Sequence, residues 1–173
     1  DIGEWRRLVE QDEAATFFHT PDWSDLLTST LPGFRASHLA ARDDGRLVGV
    51  MPVLGRPRLG ITTLESMAFG TFGGPVTAVD APDGTARELL ATFSAASSSL
   101  RVGLAQVVDR SGRMRKDALP GFAHEDNTVQ VVRLDAEYEE LFGRFHRSAR
   151  NKIRKALKSG VKIRRAEGES DFL

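Results

Sequence analysis

One segment near the C-terminus constrains this chain more than any other. Residues 141–166 contain ten Lys or Arg residues and no Asp or Glu, although the 173-residue chain balances 24 basic against 24 acidic side chains. The rest of the chain therefore carries 24 acids and 14 bases. A charge distribution segregated in this way attracts polyanions, which include phosphates, nucleic acids and anionic membrane surfaces.

Helical spacing separates the charges of this segment from its apolar residues. Arg147, Arg150, Arg154 and Lys158 fall on one face, and the opposite face carries Tyr138, Phe142, Phe145, Ala149, Ile153 and Ala156. We predict helical structure over residues 136–159, either as one bent helix or as two helices with Ser148 capping the second. Most charged faces are simply solvated, but a solvated face usually mixes signs, and this one has no acidic partners.

Composition excludes several classes of function. The chain has no cysteine, which rules out disulfides and thiolate zinc sites and fits a reducing compartment. Its four histidines have no ligand spacing, so we expect no metal site. No apolar run approaches the ~18 residues of a membrane span. We expect one domain at residues 1–168, with residues 169–173 beginning a further element that resembles a capped helix start.

The remaining pattern predicts an α+β fold, with a mixed, largely antiparallel central sheet flanked by helices. Thr20 and Pro21 mark a helix start, and Asp43-Asp44-Gly45 marks a hairpin turn. We predict helices at 4–11, from 21 onward and at 82–100, strands at 37–41, 46–54, 61–69, 104–108, 128–134 and 161–165, and loops at 70–75 and 112–126, the latter on the surface.

Three motifs then point to a family. They are FHTPDW at 18–23, GRLVGVMP at 45–52 followed by FGGP at 72–75, and FHRSARNKIRKA at 145–156 followed by Gly160-Val161. Together they resemble the FemAB (FemABX) family, whose members contain two tandem GNAT-like subdomains. The resemblance covers nearly the whole chain and identifies it with the N-terminal subdomain, an α/β arrangement of the GNAT type.

The resemblance implies a transferase that moves an aminoacyl or acyl group onto an amine of a peptidoglycan precursor or another cell-envelope substrate. The donor is aminoacyl-tRNA or acyl-CoA, and the other partner is a second GNAT-like subdomain. It further implies that Arg150 and Arg154 bind substrate phosphate, with Lys155 and Lys158 as second choices. We expect no cofactor, no transmembrane segment, and a cytoplasmic location with peripheral contact to the plasma membrane. The subdomain alone should be inactive.

Other residues leave alternatives open. The loop at Phe72, Gly73 and Gly74 is either a place where backbone approaches a substrate closely or an ordinary tight turn. No loop has the Q/R-x-x-G-x-G/A spacing that cradles CoA pyrophosphate, and no catalytic dyad is visible. His19 and His146 are candidates for acid–base chemistry by residue type only, and a structural role is the more common one.

Two rival functions remain. One is a non-enzymatic module that binds RNA or tRNA through the basic helix. Exposed aromatic residues are not expected near that helix, which argues against sequence-specific recognition of single strands. The other rival is a structural half-domain that supports a second GNAT-like subdomain.

Overall fold

The computed structural model describes residues 1–112, 114 and 119–165. The chain divides into two compact units, Asp1–His124 (unit 1) and Glu125–Leu173 (unit 2). The predicted boundary between residues 168 and 169, and the predicted helix start that follows it, lie outside the described residues.

The described residues of unit 1 form the sheets and three α-helices. The predicted helix start is present, because the Thr20 hydroxyl accepts a hydrogen bond from the Trp23 N–H and Pro21 occupies the first helical position. The elements are α1 (Ile2–Gln11), α2 (Pro21–Thr30), β1 (Arg35–Ala36), β2 (Leu39–Asp43), β3 (Arg46–Met51), β4 (Leu54–Arg58), β5 (Ile61–Ser66), β6 (Val76–Thr77), α3 (Thr85–Ser97) and β7 (Val102–Val107).

The strands form two sheets, ordered β1-β4-β5-β7 and β2-β3-β6. Every neighbouring pair is antiparallel except β5 and β7. The α+β class and the predicted hairpin are therefore confirmed. Asp44 and Gly45 both have positive φ, of 45° and 84°, as a tight hairpin turn of this kind requires.

The expected single central sheet is divided in two. Pro52 has no N–H to donate, and it lies between β3 and β4, where the long hairpin changes sheets. A hydrogen bond of 2.9 Å from the Ser37 N–H to the Val53 carbonyl continues the ladder past this point. The hairpin therefore contributes β2 and β3 to one sheet and β1 and β4 to the other.

The core of unit 1 lies between the sheets and the helices. Helix α3 rests on β3 at Gly49, where an added Cβ would come within 2.9 Å of the Thr85 side chain. Phe93 and Leu119 are buried in this layer. The expected surface loop at 112–126 is thus wrong at Leu119, because that side chain is large and apolar and packs into the core. Residues 113 and 115–118 of that loop lie outside the described part.

Within residues 125–165, unit 2 contains two helices, α4 (Tyr138–Arg144) and α5 (Arg147–Lys158). Phe145 separates them with an extended backbone conformation, φ −69° and ψ 145°. The cap of α5 is His146, whose imidazole accepts a hydrogen bond from the Ser148 N–H, so Ser148 is not the cap.

The two strands predicted in unit 2 are not formed. Within residues 125–165 no strand is present, and the apolar side chains at 129–134 and 161–163 are exposed. A strand requires a hydrogen-bonded neighbour, and alternation alone does not supply one. The predictions of strands at 128–134 and 161–165 are therefore wrong.

Candidate functional site

Helix α5 presents a row of exposed cations. Arg147, Arg154 and Lys158 lie along one side, Lys155 lies beside them, and all four side chains are exposed. None of them forms an ion pair with a residue of the described part of the chain. Like charges three or four residues apart on a helix repel one another, which destabilises the helix by a few tenths of a kcal/mol per pair. An anion that neutralised this row would remove that repulsion.

Several cations elsewhere in the described structure have acidic partners. In unit 1, Arg6 lies 2.7 Å from Asp22, and Arg46 lies 3.0 Å from Asp80. In α4, Arg144 lies 2.5 Å from Glu140. The cations of α5 are distinguished because the segment around them contains no acid to serve as a partner.

Arg154 lies beside one aromatic ring of α4, that of Phe142. Its guanidinium lies 5.4 Å from the centroid of the Phe142 ring. Phe142 in turn stacks on Tyr138, with ring centroids 5.7 Å apart, and meets Phe145 edge to face at 6.3 Å. A cation over an aromatic face is attracted by the ring quadrupole. Arg154 is therefore oriented before any ligand arrives, and its outer N–H groups remain available.

Arg150 is less exposed than its predicted place on the basic face of the helix would suggest. It is half-buried, and its Nε is shielded from solvent without a hydrogen-bond partner among the described residues. Helical spacing explains this. Around the helix axis, Arg150 lies about 60° from the half-buried Ile153, whereas Arg154 lies about 100° from it. A shielded donor that lacks a partner is unusual in proteins, and an acceptor atom of a ligand would satisfy it.

Aromatic side chains near the basic helix are exposed, contrary to the expectation from the sequence. Tyr138 is 60% exposed and Phe145 is 39% exposed. In one continuous helix, both rings would lie on the apolar face of α5. Because α4 ends at Arg144, they do not continue that face.

The loop at Phe72, Gly73 and Gly74 packs against the chain itself. An added Cβ on Gly73 would overlap the Ser66 carbonyl oxygen, and the Gly74 N–H donates to the Ser66 hydroxyl at 3.0 Å. Both glycines are buried, whereas Phe72 is half-buried with the Arg110 guanidinium 5.8 Å from its ring centroid. The close approach that glycine permits here is to backbone of the same chain.

His19 is a structural residue in this arrangement. It is 4% exposed, and its Nδ1 accepts a hydrogen bond of 3.0 Å from the Thr16 N–H. Its Nε2 must then carry the proton, which it donates to the Gly73 carbonyl at 3.1 Å. Burial lowers the pKa of His19 below its ordinary value. A neutral ring with both nitrogens engaged has no lone pair available to act as a base.

A second histidine contact was not anticipated from the sequence. The Oγ of Ser24 lies 2.8 Å from Nε2 of His38, and the Val53 N–H donates to Nδ1 at 3.1 Å. Because Nδ1 is an acceptor, Nε2 is protonated and donates to Ser24, so the ring does not deprotonate that hydroxyl. Burial lowers the pKa of His38 as well. The two residues lie fourteen positions apart in the sequence, and no local sequence signal joins them.

Metal and membrane-spanning sites are absent from the part of the chain that the structure describes. No group of three or more His, Asp or Glu residues there could hold a metal ion. No described helix has the length and apolar character needed to cross a bilayer.

Comparison with known proteins gives no further assignment. No protein-family model matches the chain, no curated protein is significantly similar to it, and no solved structure matches it significantly.

Proposed function

We propose that this chain is the substrate-binding half of a transferase that joins an aminoacyl or acyl group to an amine of a phosphate-bearing acceptor. The acceptor would be a peptidoglycan precursor or a similar cell-envelope intermediate. The observation that carries the proposal is the row of cations on α5 that have no ion-pair partner among the described residues, with Arg154 beside the Phe142 ring. The reaction type rests on the FemAB resemblance of the motifs at 18–23, 45–52 and 145–156.

The basic residues of α5 would contribute to phosphate binding in different ways. Arg154 presents a planar guanidinium that can grip two phosphate oxygens at once. Arg150 would offer its shielded Nε to the same group. Lys155 and Lys158 would add positive charge around it without fixing its orientation.

The reacting groups are expected to lie elsewhere. His19 and His38 have both ring nitrogens engaged in unit 1, and His146 caps α5. Acyl transfer to an amine needs a base or a group that stabilises charge near the attacking nitrogen. The chain by itself should therefore bind the acceptor without turning it over.

The proposal can be tested by calorimetric titration of the chain with a nucleotide-linked peptidoglycan precursor, at low and high salt. We expect saturable binding that weakens as salt rises, because exposed charges are screened. In parallel, turnover with aminoacyl-tRNA or acyl-CoA as donor should be absent. Failure of the precursor to bind at low salt would contradict the proposal, and robust turnover would contradict the assignment of the reacting groups.

RNA binding is the second candidate, and the exposed ring of Tyr138 favours it. Bases stack on exposed aromatic side chains while cations hold the backbone. Titration with tRNA distinguishes the two functions. If tRNA binds and the precursor does not, and if Tyr138→Ala weakens tRNA binding more than Tyr138→Phe, then the RNA-binding function replaces the first proposal.

A further inference from the structure

The C-terminal end of α5 exposes apolar side chains among its cations. Leu157 is 64% exposed, Val161 is 53% exposed and Ile163 is 97% exposed. Lys158 and Lys162 alternate with them and are also exposed. We call Leu157, Val161 and Ile163 the apolar tip. Its three residues lie within a stretch of seven, at one end of the unit that carries the basic helix.

The backbone fixes how the chain leaves the helix at the tip. Gly160 has a φ of 77°, and its N–H donates to the Leu157 carbonyl at 3.1 Å. The Val161 N–H donates to the Ala156 carbonyl at 3.1 Å. This pair of bonds is the helix-ending motif that glycine favours, and it satisfies carbonyls that the helix leaves open. Val161 is therefore held close to the last turn of α5.

Single exposed apolar residues are common on protein surfaces and require no explanation. The apolar tip differs because its residues alternate with lysines in a stretch that has no acid from 141 to 166. Phosphate ligands in solution would use the lysines but gain nothing from Leu157 or Ile163. Nucleic acid would gain little more, because bases stack on aromatic rings, which the tip lacks.

A bilayer with anionic headgroups uses both properties. Basic amphipathic helices lie in the interface with their apolar side chains among the acyl chains and their cations at the lipid phosphates. We infer that the apolar tip inserts into the surface of an anionic membrane, with Lys158 and Lys162 at the headgroups. This inference goes beyond the proposed function and does not rest on it, since Leu157, Val161 and Ile163 have no part in acceptor binding. Lys158 is the one residue that the two sites share.

The test is sedimentation of the whole chain with vesicles of phosphatidylcholine containing about one-third phosphatidylserine, and with phosphatidylcholine alone. The variant L157Q/I163Q removes apolar contacts and leaves every charge in place. The control V79Q/L100Q makes the same change at two exposed apolar residues of unit 1. A second variant, K158Q/K162Q, removes two cations and leaves the tip intact.

We expect the parent chain to bind the anionic vesicles and to bind phosphatidylcholine much more weakly. L157Q/I163Q should lose at least about tenfold in affinity for anionic vesicles, because burial of each side chain in an apolar phase is favourable. K158Q/K162Q should also lose affinity, whereas V79Q/L100Q should match the parent. The affinity of L157Q/I163Q for the soluble precursor should be unchanged, which separates this inference from the proposed function.

Three results would overturn the inference. The first is failure of the parent chain to bind anionic vesicles. The second is equal binding by L157Q/I163Q and the parent, which would leave charge alone as the cause. The third is equal loss in L157Q/I163Q and V79Q/L100Q, which would show that the effect is not specific to the tip.

Discussion

His19 should be required for stability, and the hydrogen bonds on its ring set the size of the effect. Substitution of Ala removes the acceptor for the Thr16 N–H and the donor to the Gly73 carbonyl. Each buried polar group left without a partner costs about 1–3 kcal/mol. His19→Ala should therefore lower the free energy of unfolding by about 2–6 kcal/mol, a large share of the stability of a typical domain.

Two milder variants separate the contributions of the ring nitrogens. His19→Asn can keep an acceptor near the position of Nδ1, and His19→Gln can keep a donor near the position of Nε2. Each should cost less than His19→Ala. Arg87→Gln, at an exposed arginine of α3 in the same unit, should change stability by no more than about 0.5 kcal/mol.

The parent chain should also lose stability in mild acid through this residue. The pKa of His19 is lower in the folded chain than its ordinary value of 6.5. As pH falls through 6.5, the unfolded chain therefore binds a proton at His19 before the folded chain does. Stability therefore falls as pH decreases below about 7.5, by at most about 1.4 kcal/mol per pH unit for each such histidine, until the folded chain also binds the proton. His38 acts in the same direction.

Urea unfolding at several pH values measures both effects. The His19 variants should show a shallower dependence of stability on pH than the parent. If His19→Ala unfolds at the same urea concentration as the parent and keeps the same pH dependence, then the ring does not hold the Gly73 loop and its structural role is wrong.

Three further substitutions test the packing, each by urea or thermal unfolding. Gly73→Ala should destabilise unit 1 by about 3 kcal/mol or more, because its Cβ would overlap the Ser66 backbone; an unchanged midpoint would contradict the close approach described above. Gly143→Ala, which has open space around it, should instead stabilise helical structure by about 0.5–1 kcal/mol, and a loss of helical circular dichroism would contradict that. Phe93→Ala should cost about 3–5 kcal/mol, since this ring is fully buried between α3 and the sheet, and a cost below about 1 kcal/mol would mean that the core lies elsewhere.

Local chemistry accounts for the parts of the fold that the sequence predicted well. Thr20 and Pro21 begin α2 because a hydroxyl cap and a fixed φ act within one turn. Asp44-Gly45 turns the hairpin because both positions accept positive φ. Both signals act within a few residues, so they can be read from the sequence whatever packs against these elements.

The features that the sequence did not predict depend on distant partners. The division into two sheets follows from the pairing around Pro52, and the strands expected at 128–134 and 161–165 lack neighbours in the described part of the chain. The contact of His19 with Gly73 joins positions 54 residues apart. In the candidate site, helical spacing predicted the position of Arg150 around the helix axis. It could not predict which side chains shield the Arg150 Nε from solvent.

The most direct test of the central claim is the affinity of the acceptor for Arg154→Ala, measured by calorimetric titration of the nucleotide-linked precursor. The account predicts a loss of about 1–3 kcal/mol in binding free energy, the range for a hydrogen bond to a charged group, with a similar loss for Arg150→Ala. Stability should change little for Arg154→Ala, and Arg87→Ala, at an exposed arginine of α3, should bind like the parent. If Arg154→Ala and Arg150→Ala both bind the precursor as tightly as the parent, or if both fail to fold, then the basic face of α5 is not the phosphate site.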